Sequence, residues 1–310
     1  MLQKKYQALV VCFLLLPCIE LGWLAYTYHS VTTLEQWQQM AKVVRREWRS
    51  TDMIRTIPLW MDPLLRWVLG DLISIEKAGA SDDTDWQRIW LVSRGRSLKG
   101  LMPSGSPDFD RKFGSLRLRR WNVKTDHKLY NFVTHIDEAS VSVTEGNRVN
   151  SCPRLIGRPS GGGLLTGPMA PADRFHCDKR RPWLWVGKTV VEDLDFQPRL
   201  CIWQHPGGAQ PIRVTFPNVT LADAIVLYGG IYYMYERDHI HAPVTMRVFL
   251  NDVFVGQFRH VDGDGWKKYV VVTERAKGVL ANVAIEVTAS PPDFRGFCWS
   301  GYTRGISGTH

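Results

Sequence analysis

The residues with the clearest chemical potential lie near the C-terminus, in the segment HVDGDGW at positions 260–266. Asp262 and Asp264 alternate with glycines, a spacing found both in calcium loops and in tight turns. An EF-hand loop needs further oxygen ligands and a glutamate six residues after its glycine, whereas Lys267 and Lys268 follow here. We therefore predict a turn and no metal cofactor, with calcium bound at the two aspartates as the weaker alternative.

A second candidate metal site is the segment RDHIHAP at positions 237–243. Asp238, His239 and His241 carry ligand atoms, and residues i and i+2 of a strand point the same way. No further ligand is evident from the sequence. A polar loop before Pro243 is the favoured interpretation.

Aromatic residues form the third candidate site. Stacked aromatic rings beside a few polar groups suit a saccharide, although rings of this kind more often pack a core or a protein interface. The stretch IYYMYERDH, positions 231–239, is too aromatic and too loop-like for a comfortable core, so we expect a contact surface there. The predicted surface consists of Trp203, Tyr232, Tyr233, Tyr235, Arg237 and Trp299.

Catalytic motifs are absent from the sequence. It contains no HExxH, no GxSxG and no plausible Cys/His nucleophile pair. Asp82 and Asp83 are adjacent carboxylates in a polar linker, where a solvated turn is the expected structure. We predict that the protein is not an enzyme. Because glycosidase carboxylates leave almost no local trace, a glycan-modifying hydrolase remains a third hypothesis.

The last third of the chain predicts the framework that positions these residues. Short apolar-alternating segments, separated by turn residues, predict seven or eight strands over about 110 residues without helices. Such a succession is typical of an antiparallel β-sandwich. The segments are LCIWQHP, IRVTFPNV, AIVLYGGIYY, VTMRVFLNDVFVGQFRHV, WKKYVVVT, NVAIEVTA and GFCWSGYTR.

Three of these segments carry a family resemblance. The hairpin VTMRVFLNDVFVGQF at 244–258, the strand entry GDGWKKYVV at 263–271 and the return strand VAIEVTA at 283–289 look like parts of a jelly roll. Over residues 198–304 the chain resembles galactose-binding-like and carbohydrate-binding modules. The resemblance implies a jelly-roll domain and a saccharide as its ligand.

The N-terminus predicts a membrane anchor. Residues 7–28 are mostly apolar, close to the roughly 20 residues that cross a bilayer. Lys4 and Lys5 precede this stretch, and aromatic residues crowd its far end. We predict a single-pass transmembrane helix with residues 1–6 in the cytoplasm and the rest periplasmic or extracellular. A cleaved signal peptide is the alternative.

Glu20 lies inside this stretch, where a carboxyl group is costly unless it meets protein, water or headgroups. It therefore predicts either an interfacial position or an intramembrane contact with another membrane protein.

The cysteines outside the anchor predict an oxidised, exported region. Cys152, Cys177, Cys201 and Cys298 form no CxxC or metal-type pattern, and four cysteines allow three pairings. We predict the pairs Cys152–Cys177 and Cys201–Cys298, and with them an oxidising compartment.

These features predict an α+β multidomain chain. After the anchor we expect a small α/β domain over 29–150, a Gly/Pro-rich connector with a disulfide over 151–197, and the β-sandwich over 198–310. The helical spacing of apolar residues near 34–48 predicts a helix at the start of the α/β domain.

Two functions from different classes fit these predictions. The first is a non-catalytic accessory subunit of a larger membrane complex, in contact with lipid and integral membrane proteins. The second is an anchored carbohydrate-binding or envelope-polysaccharide protein. The net charge of +9 suits an anionic neighbour or solubility equally, and the charges are too dispersed to predict a nucleic-acid partner.

Overall fold

The computed structural model describes residues 15–24, 26, 31–84, 86–95, 103–125, 128–162, 167–178, 180–208, 210–237 and 241–305. The chain divides into two compact units. The first unit, called the α/β unit below, consists of Met1–Leu72 and Gln87–Val123, and the second, called the sandwich unit, of Ile73–Trp86 and Lys124–His310. The domain limits expected at residues 150 and 197 stay predictions.

The N-terminal stretch forms helix α1 over residues 15–24 and 26. In the described part of the chain no helix is long and apolar enough to cross a membrane. The prediction of a transmembrane helix over residues 7–28 is therefore wrong, and so is the single-pass localisation built on it. Glu20 and Cys18 are exposed on α1. Residues 1–14, 25, 27 and 28, which include Cys12, lie outside the described residues.

The α/β unit consists of one sheet and helices. The helix predicted from the apolar spacing near residues 34–48 is present. Helix α2 begins after Thr33, whose hydroxyl accepts a hydrogen bond from the Gln36 amide, and it buries Trp37, Met40 and Val44. The strand order is β1-β2-β4-β3, with β1 and β2 parallel. The elements are α2 (Leu34–Glu47), β1 (Asp52–Ile57), α3 (Asp62–Leu69), β2 (Arg88–Arg94), β3 (Phe109–Phe113) and β4 (Leu116–Asn122).

The sandwich unit contains the two larger sheets. Within its described residues one sheet runs in the order β16-β13-β18-β11-β10-β9-β8, with β5 paired to β18, and the other in the order β15-β14-β17-β12-β6-β7. The first sheet consists of β5 (Lys128–Asn131), β8 (Arg154–Ile156), β9 (Asp173–His176), β10 (Trp185–Glu192), β11 (Pro198–Gln204), β13 (Ala224–Ile231), β16 (Lys267–Val272) and β18 (Phe297–Arg304). The second consists of β6 (Ser140–Glu145), β7 (Arg148–Ser151), β12 (Ile212–Thr220), β14 (Val244–Leu250), β15 (Val253–His260) and β17 (Leu280–Thr288).

An antiparallel β-sandwich in the C-terminal region is thus confirmed. One core cluster joins residues of both sheets, including Val214 and Phe216 of β12 and Ile202 and Trp299 of the other sheet. Two one-turn helices complete the unit, α4 (Ile75–Ala78) and α5 (Tyr233–Glu236). Helix α5 interrupts the run of strands that was expected to contain no helix.

Both predicted disulfides are confirmed. Cys201 of β11 is bonded to Cys298 of β18, 97 residues later. These two strands are neighbours in the sheet, so the bond joins adjacent strands. Cys152 is bonded to Cys177 across 25 residues and closes the glycine-rich segment.

Within the sandwich unit, Asp82 connects the segment Ile73–Trp86 to the sheet. Asp82 is therefore not part of the solvated turn that the sequence led us to expect. Its carboxylate is 15% exposed and accepts hydrogen bonds from Arg304 at 2.7 Å, from Thr84 at 2.8 Å and from the Tyr228 hydroxyl. Lys128 lies 3.6 Å away. Burial alone would raise the pKa of Asp82, but Lys128, Tyr228 and Arg304 lower it to about 2.

The depressed pKa makes a pH-dependent prediction. A carboxyl group that is more acidic in the folded state stabilises the fold above its ordinary pKa of 3.8, and this stabilisation is lost as the pH falls towards 2. We expect Asp82→Asn to lower the free energy of unfolding by about 2 kcal/mol at pH 7. In urea titrations the difference from the wild type should shrink between pH 4 and pH 2.

The control for this prediction is Asp252→Asn, the same change of charge on a side chain that is 89% exposed. It should alter stability little, since exposed ion pairs contribute less than about 1 kcal/mol. A loss at Asp82 that stays constant from pH 7 to pH 2 would contradict the prediction.

Candidate functional site

A pocket of about 430 Å³ lies in the sandwich unit. A volume of this size suits a small molecule or one or two rings of a larger ligand. Aromatic rings and prolines form most of its wall, and a few polar groups interrupt them. The lining residues are Arg181, Trp183, Leu184, Trp203, His205, Pro206, Tyr235, Pro292, Asp293 and Phe294.

Four chain segments contribute side chains to the pocket, and each lies next to the end of a strand. Arg181 to Leu184 precede β10, and His205 and Pro206 follow the last residue of β11. Tyr235 lies on α5, directly after β13. Pro292 to Phe294 belong to the turn between β17 and β18. The strands of one sheet therefore hold the segments in place, while the segments themselves provide the side chains.

Trp203 is a deeply buried residue of the pocket wall. Its side chain is 2% exposed and stacks on Trp185 with ring centroids 5.6 Å apart. Gly296 lies so close to the indole that a Cβ atom there would come within 2.1 Å of the ring. Only glycine can occupy position 296 while Trp203 keeps its place.

His205 is a neutral hydrogen-bond acceptor in this pocket. Burial lowers the pKa of His205 to about 4, against smaller opposing effects of the Pro206 carbonyl and Asp293. Its Nδ1 lies 2.8 Å from the Pro206 carbonyl oxygen, which can only accept, so Nδ1 carries the proton. The other nitrogen, Nε2, is then an acceptor, and it makes no hydrogen bond with another described residue.

Two charged side chains, Asp293 and Arg181, also line the pocket. Asp293 is exposed, and its carboxylate forms no ion pair or hydrogen bond with the described residues. Arg181 donates from Nε to Asp178 at 2.7 Å and from Nη1 to the Gly207 carbonyl oxygen at 3.5 Å. Its Nη2 is not used within the described chain. The pocket therefore offers acceptors at Asp293 and His205 and a donor at Arg181.

Arg295 holds the aromatic walls in position from behind. The side chain is fully buried and donates to the Phe294 carbonyl oxygen at 2.9 Å and to the Tyr235 carbonyl oxygen at 3.4 Å. Asp262 neutralises it across 2.6 Å. One guanidinium thus connects two separate segments that contribute rings to the pocket.

The structure brings together only part of the predicted contact surface. Trp203 and Tyr235 line the pocket, and Tyr232 and Tyr233 lie beside Tyr235 with partial exposure. Arg237 is exposed at the end of α5.

Trp299, by contrast, lies in the core, where it is 0% exposed and its indole nitrogen donates to Gln204 at 2.7 Å. It contributes no surface.

Sequence reasoning missed the residues that give the pocket its chemistry. Trp183, His205, Asp293 and Phe294 lie in three short stretches that carry no local motif. The available signal was a group of polar and aromatic residues beside prolines, as in RRPWLW at 180–185 and HPGG at 205–208. That signal does not show that the stretches meet.

Asp262 and Asp264 are occupied by protein donors. Asp262 binds Arg295 and the His241 amide, and Asp264 accepts from the Val261 amide and from Lys267, both at 3.0 Å. Positions 262 and 263 form a turn between β15 and β16. Among the described residues no group of three His, Cys, Asp or Glu side chains is placed to hold a metal ion. Asp238 and His239 lie outside the described residues.

A second depression, of about 290 Å³, differs in character. Its lining includes Arg154 and Asp173, which are bonded to each other, together with Arg174 and Lys188. Arg174 is held by the carbonyl oxygens of Pro171 and Arg158. Because the wall is mainly charged and Phe175 is its one aromatic residue, the first pocket is the better candidate site.

No family model matches the chain, and no curated protein sequence matches it. Several similar solved structures are carbohydrate-binding modules. The second CBM51 with the INT domains of ZmpB from Clostridium perfringens, in complex with GlcNAc, is 10% identical with a TM-score of 0.34, covering 63% of this chain and 35% of that one.

CBM51 from Clostridium perfringens GH95, in complex with methyl-galactose, is 10% identical with a TM-score of 0.27, and the match covers 38% of this chain and 79% of that one. TmCBM27, described for mannan recognition, is also 10% identical, with a TM-score of 0.26, and the match covers 38% of this chain and 81% of that one. The match covers 35% of that ZmpB structure and 37% of a second structure of the same two domains. With every TM-score below 0.5, the similarity to these modules is a loose match.

Proposed function

We propose that the protein is a non-catalytic saccharide-binding protein whose binding site is the pocket around Trp203. The observation that supports it is the composition of the wall, in which four aromatic side chains share the lining with a neutral imidazole acceptor, a guanidinium and a carboxylate that no described residue pairs. A sugar ring has an apolar face of C–H groups and a rim of hydroxyls. Aromatic faces receive the first, and fixed polar groups receive the second.

The arrangement favours binding over chemistry. A retaining or inverting glycosidase needs two facing carboxyl groups, and Asp293 is the single carboxylate in the described wall. His205 is neutral at pH 7 and its low pKa makes it a weak base. The accessory-subunit hypothesis placed a helix of this chain in the bilayer, and the described residues contain no helix long and apolar enough to cross one.

The exposed wall gives the first test. Trp183 is 49% exposed, so Trp183→Ala should leave the fold intact while it removes a ring from the ligand. Binding is first surveyed on a glycan array. Affinities are then measured by calorimetry with the methyl glycosides of glucose, galactose, mannose and N-acetylglucosamine. We expect the full chain to bind at least one of them and Trp183→Ala to weaken that binding at least about tenfold.

The matched control is Trp67→Ala, which removes another exposed tryptophan, 69% accessible, from helix α3, outside the sandwich unit. It should leave saccharide affinity unchanged. Equal losses in the two variants, or no binding of any saccharide by the wild type, would contradict the proposed function.

A further inference from the structure

A row of five aromatic rings leads from the pocket across its rim. The ring centroids are 5.5 Å apart from Phe294 to Tyr235, 5.5 Å from Tyr235 to Tyr232, 5.1 Å from Tyr232 to Tyr233, and 5.3 Å from Tyr233 to Phe196. Phe294 and Tyr235 line the pocket, and the other three rings lie beyond its lining. The planes of consecutive rings are inclined at 57° to 81°, so that the edge of one ring packs against the face of the next. We call these five residues the aromatic row.

Both ends of the aromatic row are phenylalanines held in a left-handed backbone conformation. Phe196 has a φ of 58° and Phe294 a φ of 56°. A residue with a Cβ atom pays about 1 kcal/mol or more for this conformation, and glycine or asparagine adopts it more readily. Burial does not offset the cost, because Phe196 is 63% exposed and Phe294 48% exposed. Neither ring is explained by the stability of the chain alone.

The loop that carries Phe196 is built to fix it. Asp193 is 2% exposed and accepts hydrogen bonds from the amides of Asp195 and Gln197, both at 2.9 Å. The Phe196 amide donates to the Asp193 carbonyl oxygen at 2.9 Å, and Arg199 donates to the Asp193 carboxylate at 2.6 Å. The exposed ring is therefore presented on a short, hydrogen-bonded turn. Such preorganisation lowers the entropy lost when a ligand binds.

The middle of the aromatic row combines rings with polar groups. Tyr232 and Tyr233 are partly exposed, and their hydroxyls make no hydrogen bond with another described residue. Glu192, at the end of β10, is close enough to contribute to the raised pKa of Tyr232, after the larger effect of burial. A protein partner would favour a broad apolar patch. A single file of rings with free hydroxyls fits a narrow, hydroxyl-rich chain.

We infer that the aromatic row extends the pocket into a cleft for a linear oligosaccharide. One sugar unit occupies the pocket beside Phe294, the following units pass the Tyr232 and Tyr233 hydroxyls, and a later unit packs against the Phe196 ring. The ring-to-ring steps are comparable with the repeat of a pyranose chain. This inference rests on the proposed function, because it takes the pocket as the first sugar site.

Calorimetry with the full chain and a ladder of oligosaccharides tests the inference. The probes are gluco-, manno-, xylo- and galacto-oligosaccharides of one to six units, starting from the sugar whose methyl glycoside binds. We expect affinity to rise with length over the first few units and then to level off. In Phe196→Asn the ratio of the affinity for long oligosaccharides to the affinity for the methyl glycoside should fall at least about fivefold. The affinity for the methyl glycoside itself should be unchanged.

The Phe196→Asn variant also separates a binding role from a structural one. Because asparagine tolerates a positive φ, its free energy of unfolding should equal or exceed that of the wild type. Phe254→Asn, which changes a phenylalanine that is 54% exposed on β15, should leave both affinities unchanged.

The possible failures are distinct. A wild type that binds the methyl glycoside with no gain for longer chains overturns the cleft and leaves the saccharide pocket standing. A Phe196→Asn variant that loses affinity equally for all lengths also overturns the cleft. A wild type that binds no saccharide overturns the inference and the proposed function together.

Discussion

Replacing Cys201 and Cys298 together by alanine should lower the free energy of unfolding of the sandwich unit by about 5 kcal/mol. The disulfide closes a segment of 97 residues, and chain entropy gained by the unfolded state grows with the length of the closed segment. Both sulfurs are fully buried between neighbouring strands, so the variant also loses packing.

The second disulfide is the matched control. Cys152 and Cys177 are 25 residues apart, for which the same relation gives about 3.5 kcal/mol. Guanidinium titrations of the wild type and both double variants would measure the order of the two losses. A larger loss for the shorter loop would show that strand packing, rather than the length of chain closed, determines the effect.

Arg295→Met should affect stability and binding at once. The substitution leaves Asp262, which is 4% exposed, without its guanidinium partner, and such a broken buried pair costs about 3–5 kcal/mol. It also removes the donors to the Phe294 and Tyr235 carbonyl oxygens, so the pocket walls lose a common support. We expect a lower free energy of unfolding together with weaker saccharide binding, measured by chemical denaturation and calorimetry.

Two further variants separate these effects. Adding Asp262→Asn to Arg295→Met removes the unpaired charge and should restore part of the stability. Affinity should stay low, because the guanidinium donors to the Phe294 and Tyr235 carbonyl oxygens are still missing. Arg247→Met, at an exposed arginine that donates to Gln257, should change neither property much. Recovery of affinity in step with stability would show that Arg295 has no positioning role.

Local patterns in the sequence predicted the parts of the fold that local chemistry determines. Asn251 and Asp252 form a two-residue turn with positive φ at both positions, which Asn and Asp tolerate, so the β14–β15 hairpin was predictable. The alternation of apolar residues revealed the strands that follow. The cysteine pairing needed only the expectation that one bond closes the loop and the other ties the ends of the last domain.

Distant pairings could not be predicted in this way. All residues of β18 are buried, so the strand shows no alternation that would assign Trp299 to the core. The Asp82 carboxylate accepts hydrogen bonds from Arg304 and Tyr228 on two neighbouring strands. These residues are 222 and 146 positions away from it in sequence. Without that partner, Asp82 looks like one of many polar linker residues.

The pocket shows the same limit. Its wall combines segments around positions 181, 205, 235 and 293, and their meeting follows from the strand order of the sheet. The sequence drew attention to the aromatic stretch at 231–239, but the adjoining rings Phe294 and Phe196 come from other loops. Short loops of ordinary composition carry no signal of the residues they will face.

The most direct measurement is a crystal structure of the full chain with the saccharide that binds most tightly in the glycan array. We predict a sugar ring in the pocket, with one face against Trp183 or Phe294 and hydroxyls within hydrogen-bonding distance of His205 Nε2 and the Asp293 carboxylate. A saccharide bound elsewhere, such as the charged depression of Arg154 and Lys188, with the pocket empty, would contradict the account.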